Sequence, residues 1–335
     1  MNGSKTARFA PPAAPFLAVT AAFGASASLV AGCDVTSVVG YEESALGVLQ
    51  CARDAPVARC DQVTCVVRDL EAAQVGSTAL AVDDVAAYYL REANAIVKTP
   101  VGGGDMVDLA TSEMGVFHMA ADATHLFWSE FGRRIFRVPK AGGPAEVVAD
   151  IQGHPGVLAL DATYVYATLT DTNQLAMVPK EPGKGTFLPQ AAPIWIATDA
   201  THVYWINQGN AAQSGELVRA PLGSIAESET LAGGLDSPVT LALSGTDAYF
   251  VAASHLYRFP KNGGTLETVR SLPDETKAIA TYSDSIYLTG IAGLIRIRDG
   301  ESVTLDTRTT LALAISCSGV FATGWLVPAM LKYAP

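Results

Sequence analysis

One stretch recurs through this chain and limits what it can fold into. Met119–Pro139 reads MAADATHLFWSEFGRRIFRVP, and variations of it appear seven times. With Asp122 as anchor, equivalent positions fall at Asp83, Asp122, Asp161, Asp199, Ser244, Tyr282 and Ser316, spaced 39, 39, 38, 45, 38 and 34 residues apart. Three places before each stands an aliphatic residue or Met, and two places before stands an alanine, from Ala81 to Ala314. Five places after stands an aromatic: Tyr88, Phe127, Tyr166, Tyr204, Tyr249, Tyr287 and Phe321. Aromatics are only 8% of the residues, so seven hits in seven are not an accident of alignment.

A second element follows in each repeat: an aliphatic residue, a base two places on, and often a proline. It reads IVKTP at Ile96–Pro100, IFRVP at Ile135–Pro139, LAMVP at Leu175–Pro179, LVRAP at Leu217–Pro221 and LYRFP at Leu256–Pro260. Short apolar runs rich in β-branched and aromatic residues, broken by Gly, Pro and Asp, read as strands joined by hairpins. About 40 residues holding four such strands is the period of a β-propeller blade. The recurring alanine suits an innermost strand, where blades crowd the axis. The expected fold is all-β: a seven-bladed β-propeller of four-stranded antiparallel blades, with a six-bladed ring as the alternative.

The last repeat reaches Pro335 just after its third strand. Before the first repeat lies an orphan strand candidate, Val63–Leu70 (VTCVVRDL). The N-terminal strand is therefore expected to complete the last blade and close the ring. The propeller would span 63–335, preceded by a tether over 33–62 without a clear strand pattern and with a small disulfide-pinned loop.

Residues 1–32 are different in kind. Lys5 and Arg8 precede an apolar run from Phe16 to Leu29, too short for a membrane span and closed by small residues, which is the grammar of an export signal. The run ends in Val30-Ala31-Gly32-Cys33, which resembles the bacterial lipobox. That resemblance implies cleavage before Cys33, lipidation of its thiol, and a propeller held at the cell envelope, outside the cytoplasm, with the lipid as its only membrane contact. Four cysteines then remain, Cys51, Cys60, Cys65 and Cys317, an even set that favours disulfides in an exported protein. In every full pairing Cys317 joins one N-terminal cysteine, which would tie the first strand to the last repeat.

Charge narrows the partners. The chain carries −11; without residues 1–32, 20 bases face 33 acids, giving −13. Such a surface disfavours nucleic acid and anionic lipid, and no basic patch with interleaved aromatics appears. No metalloprotease, nucleophile-elbow, phosphate-loop or EF-hand motif is present, so no catalytic residue, metal site or cofactor is assigned. Gly183-Lys184-Gly185-Thr186 reads as a hairpin turn. His125 and His202 share one repeat slot and Trp128 and Trp205 another, which marks both pairs, with His118 and His255, as structural.

The runs Leu126–Glu130 (LFWSE) and Val203–Asn207 (VYWIN) resemble the YWTD repeats of lipoprotein-receptor propellers, and the later I-x-R-x-P element resembles NHL and Tol-type repeats. The resemblance spans about Val63–Pro335 and implies the fold, not an activity. Glu130 and Asn207 stand where the YWTD aspartate would, so an inter-blade aspartate network is not carried over. In a propeller the loops into the innermost strands ring the channel mouth. Here they bring His154, Asp236, Asp274, Glu275 and Arg308, a charged arc with the types needed for polar binding or acid–base work. The reading is a monomeric, non-catalytic, lipid-anchored module that binds a protein or glycan. A propeller lactonase, lyase or sugar dehydrogenase at the channel mouth is the alternative.

Overall fold

The computed structural model describes residues 79–91, 94–101, 104–272, 276–307, 310–316 and 319–324, and the backbone of short strands at 41–43, 49–51, 68–70 and 330–333. Four-stranded antiparallel sheets follow one another along the chain, each a meander in sequence order. Blade 1 comprises Leu80–Val82, Ala86–Arg91, Ala95–Pro100 and Val107–Thr111. Blade 2 comprises Val116–Ala121, His125–Glu130, Arg134–Pro139 and Glu146–Asp150. Blade 3 holds Pro155–Leu160, Tyr164–Leu169, Gln174–Pro179 and Thr186–Pro189; blade 4 holds Pro193–Thr198, His202–Asn207, Gly215–Pro221 and Glu229–Leu235. Blade 5 is Pro238–Leu243, Asp247–Ala252, His255–Pro260 and Glu267–Ser271, and blade 6 is Thr276–Tyr282, Ser285–Gly290, Gly293–Arg298 and Glu301–Asp306.

The expected seven-bladed ring is corrected here: among the described residues the blades made of four strands consecutive in the chain are six. The last repeat supplies three strands, Thr310–Ser316, Gly319–Gly324 and Met330–Tyr333, and the fourth place is taken by Arg68–Leu70, antiparallel to Met330–Tyr333. This composite closing sheet lies between blades 6 and 1, its first strand against the first strands of both. The physical reason is that the outer edge of Met330–Tyr333 pairs with Arg68–Leu70, so this sheet is built from two distant stretches of chain. Of the strand expected over Val63–Leu70, only Arg68–Leu70 is among the described residues. Within the stretch expected to be a tether, Tyr41–Glu43 and Leu49–Cys51 pair as a short antiparallel ribbon.

Packing explains why the repeat looks as it does. The second strands are buried on nearly every residue, because neighbouring sheets cover both faces; such strands read as continuous apolar runs. Each seam holds its own apolar cluster. Trp128 packs against Tyr88 and Leu90 of blade 1, and Trp205 against Tyr166 and Leu175 of blade 3. Burying an aromatic of this size contributes about 1.5–3 kcal/mol.

The anchor aspartate does two jobs at once. Its Oδ1 caps the turn between first and second strands: Asp122 Oδ1 accepts from the backbone N–H of Thr124 and His125, both at 2.8 Å, and Asp83, Asp161 and Asp199 do the same in their blades. Its Oδ2 takes a lysine from the next blade. Lys140 Nζ lies 2.7 Å from Asp83, Lys180 Nζ 2.7 Å from Asp122 and Lys261 Nζ 2.7 Å from Asp199. Bases of the I-x-R-x-P element complete the latch: Lys98 and Arg137 donate to the carbonyls of Lys140 and Lys180 at 2.9 Å, and Arg219 donates to the Lys261 carbonyl. An inter-blade aspartate network therefore exists, at the anchor position rather than at the YWTD aspartate. Between blades 3 and 4, where Leu222 fills the lysine slot, Tyr166 donates to Asp161 at 2.5 Å and accepts from Gly223 N–H at 2.8 Å.

Candidate functional site

The loops entering each first strand and the turns between second and third strands share one face, the channel mouth, as the up-and-down order requires. The first strands of blades 2 to 6 and of the closing sheet each carry a β-bulge at the same place. A bulge gives one residue more than the partner strand can match, and re-aims a side chain. The extra residue is Phe117 in blade 2, Ile194 in blade 4, Val239 in blade 5 and Lys277 in blade 6. Hydroxyls from the second strand satisfy the displaced backbone. Ser129 Oγ accepts from His118 N–H at 3.1 Å and donates to the Gly156 carbonyl of blade 3 at 2.8 Å, and Thr168 Oγ1 accepts from Val157 N–H at 3.1 Å. Gly156 has to be a glycine, because a Cβ there would lie 2.7 Å from Thr168 Oγ1.

On blade 2 this geometry presents an apolar patch. Phe117, Met114 of the entering loop and Phe131 of the adjacent turn are 40%, 55% and 52% exposed. The two rings meet edge to face, with centroids 5.8 Å apart at 83°. Beside it, His118 is half-buried: Leu158 N–H donates to its Nδ1 at 3.2 Å, and its ring faces Trp195 of blade 4 edge-on at 6.5 Å. Burial pushes the His118 imidazole down to about 4, so it stays neutral at physiological pH.

The charged arc expected at the mouth is only partly within reach. Asp274, Glu275 and Arg308 lie outside the described residues. His154 is exposed, and its neighbour is Asp171 of its own blade, whose Oδ1 accepts the His154 backbone N–H at 2.9 Å and whose Oδ2 lies 3.8 Å from Nδ1. Asp236 is exposed and accepts from Ser237 Oγ at 3.0 Å. No hydrogen bond or ion pair joins His154 to Asp236. Cys33, Cys60, Cys65 and Cys317 also lie outside the described residues, and Cys51 ends the short ribbon. Among the described residues no group of three or more His, Cys, Asp or Glu side chains could hold a metal ion.

The remaining histidines behave as their repeat slots imply. His125 and His202 pair through Nδ1 with Thr124 and Thr201 hydroxyls at 2.8 and 2.7 Å and pack beside Phe127 and Tyr204. Two features escaped the sequence reading. The latch lysines follow the proline of the later element (VPK, VPK, FPK), a signal open to inspection, but their partners stand 57 to 62 residues away. The patch escaped because Phe117 reads as an ordinary strand residue until the bulge turns it out.

Among solved structures, the chain is similar to a chain of the nidogen/laminin complex, with TM-score 0.52 and 15% identity over 63% of this chain and 89% of that one. It is similar to a chain of the mitotic checkpoint complex, with TM-score 0.63 and 12% identity over 85% and 98%. It is also similar to the Pan2 WD40 domain of Neurospora crassa, with TM-score 0.60 and 10% identity over 78% and 90%. At these identities the likeness is one of fold: a β-propeller of repeated blades. No family model matches the sequence, and no curated protein does.

Proposed function

We propose that this chain is a protein-binding propeller, and that its partner docks on the channel-mouth face of blade 2. The observation that carries the proposal is the patch of Met114, Phe117 and Phe131. Three large apolar side chains stay half in water side by side, with the Phe117 and Phe131 rings in edge-to-face contact, whereas Trp128 and Trp205 are buried in the seams. Exposed apolar clusters on rigid elements mark interaction sites, and aromatic residues dominate the energetics of such sites. Structural neighbours taken from protein complexes agree with this reading. Within it, the repeat is of YWTD or NHL type, supported by the seam positions of Trp128 and Trp205. A glycan partner would use the same mouth.

The same reading places the chain at a bacterial cell envelope, exported by residues 1–32 and anchored through lipid on Cys33. Support comes from the charged start, the short apolar run and the VAGC ending. Labelling with a clickable palmitate tests this part: label on the full chain, and none on Cys33→Ser, is the expected result.

For the binding face, a photo-crosslinking residue is placed at Phe131 and, as a control, at Val147, which is 49% exposed on the outermost strand of the same blade. In the source cells Phe131 is expected to yield one dominant protein adduct that is lost on Phe117→Ser. Equal adducts from both positions would remove the patch as the site.

A further inference from the structure

The seam between blades 5 and 6 departs from the latched seams. Blade 5 has Ser244 at the anchor, where blades 1, 2 and 4 have an aspartate. In blade 6 Asp299 stands in the slot after the third strand where the latch lysines Lys140, Lys180 and Lys261 stand. The third and fourth strands of blade 6 are joined by the two-residue turn Asp299-Gly300, with φ of 51° and 79° and Arg298 paired directly with Glu301. Blades 2 and 5 use a longer Lys-x-Gly-Gly turn at that place, Lys140–Gly143 and Lys261–Gly264, which lays the lysine across the preceding seam. The short turn stops before the seam and leaves a cleft of about 290 Å³.

Tyr249, Arg258 and Glu267 of blade 5 and Asp284, Arg298 and Asp299 of blade 6 line this cleft. Arg258 lies 3.3 Å from Glu267, and Arg298 lies 2.7 Å from Asp284. Two guanidinium groups thus face three carboxylates, and the buried Asp247 beside Arg258 adds a fourth. Tyr249 occupies the aromatic slot of the repeat. In two of the latched seams that slot is where the lysine ammonium rests: Lys180 Nζ is 5.2 Å from the Phe127 ring centroid and Lys261 Nζ 5.9 Å from that of Tyr204. The attraction of a cation to a ring face adds to its pairing with a carboxylate. The protein's own seams therefore show which group fits over the aromatic slot.

We infer that the open seam between blades 5 and 6 is a socket for a primary ammonium group on a flexible chain, namely a lysine side chain of a protein partner. The ammonium would stand over Tyr249 among Glu267, Asp284 and Asp299, with the methylenes along the seam. This site lies on the face opposite the channel mouth, at the turns between third and fourth strands, so it does not depend on the blade 2 patch.

The test is saturation-transfer NMR and calorimetry on the full chain with Nα-acetyl-lysine N-methylamide as probe. Saturable binding in the millimolar range, with contact to the lysine methylenes, is expected. The norleucine counterpart, which lacks the amine, should show none, and n-butylammonium should bind at least fivefold more weakly than the lysine probe. Glu267→Gln with Asp284→Asn should weaken binding at least fivefold. Should that pair fail to fold, replacing Arg298–Gly300 by Pro-Lys-Asn-Gly-Gly decides the matter, because a resident lysine should abolish binding. Norleucine binding as well as lysine, or lysine binding unchanged in the grafted chain, would overturn the socket. Butylammonium binding as tightly as the lysine probe would overturn the protein lysine as its occupant.

Discussion

Lys261→Met is the sharpest perturbation of the latch. The Lys261 ammonium sits 2.7 Å from Asp199 Oδ2, and the two side chains are 9% and 7% exposed. Methionine keeps the length of the stem but not the charge, so Asp199 Oδ2 stays buried without its cation. Breaking a buried pair from one side costs about 3–5 kcal/mol, whereas an exposed pair is worth about 0–1 kcal/mol. Arg298 and Asp284, 36% and 50% exposed, supply the control through Arg298→Ala. With an unfolding entropy of about 2.1 cal/mol/K per residue over the roughly 250 described residues, the loss corresponds to roughly 6–10 °C in Tm. Urea unfolding of the full chain, followed by tryptophan fluorescence, reads it as a lower midpoint at unchanged slope. Burial alone would push the Asp199 carboxyl up, but the Lys261 hydrogen bond, the Thr201 and His202 N–H groups and the lysine charge together hold it below the usual carboxylate range. A depressed carboxylate contributes stability above its unfolded pKa of about 3.9 and loses it as pH falls through the folded value. The gap between wild type and Lys261→Met should therefore narrow below about pH 4. A cost under about 1 kcal/mol at pH 7, or one no larger than that of Arg298→Ala, would refute the latch as a stabilising device.

Other outcomes follow from the same geometry. Asp83 and Asp122 are held low in the same way as Asp199, burial opposing and the lysine and backbone donors prevailing, so the wild-type urea midpoint should fall steeply below about pH 4 and be nearly flat from pH 5 to 8. Ser129→Ala strips the partner from His118 N–H and from the Gly156 carbonyl, and should cost about 1–3 kcal/mol in urea unfolding. Gly156→Ala drives a Cβ into Thr168 Oγ1 and should destabilise by about 1–3 kcal/mol; Gly156→Ala with Thr168→Ser, which leaves the hydroxyl in place, should not restore the loss.

Much of the architecture was legible because packing imposes a local rule on each repeat. The aromatic five places after the anchor fills a seam every time a second strand is sandwiched, so it recurs wherever a blade does. Trp128 and Trp205 declared themselves by sharing one slot. Asp122 declared itself too, but only its turn-capping half is local; the ammonium it holds comes from Lys180, 58 residues on. Long-range pairs leave no periodic trace unless both partners are tracked together. The blade count went astray at the end of the chain, where three strands and a distant N-terminal segment make one sheet. The site was the least legible part. A bulge changes which way Phe117 points without changing its residue type, and the gap between blades 5 and 6 shows only when the Asp299-Gly300 turn is set beside its longer counterparts.

The binding of the protein captured at Phe131 tests the account most directly. Its affinity is measured for wild type, Phe131→Ser and Val147→Ser, each confirmed folded by its unfolding midpoint. An aromatic at the centre of an interface is worth about 2 kcal/mol or more, or roughly 30-fold in Kd. That loss is expected for Phe131→Ser, and a change within about twofold for Val147→Ser. Equal affinities for the three chains would contradict it, and the channel-mouth face of blade 2 would not be where this propeller binds.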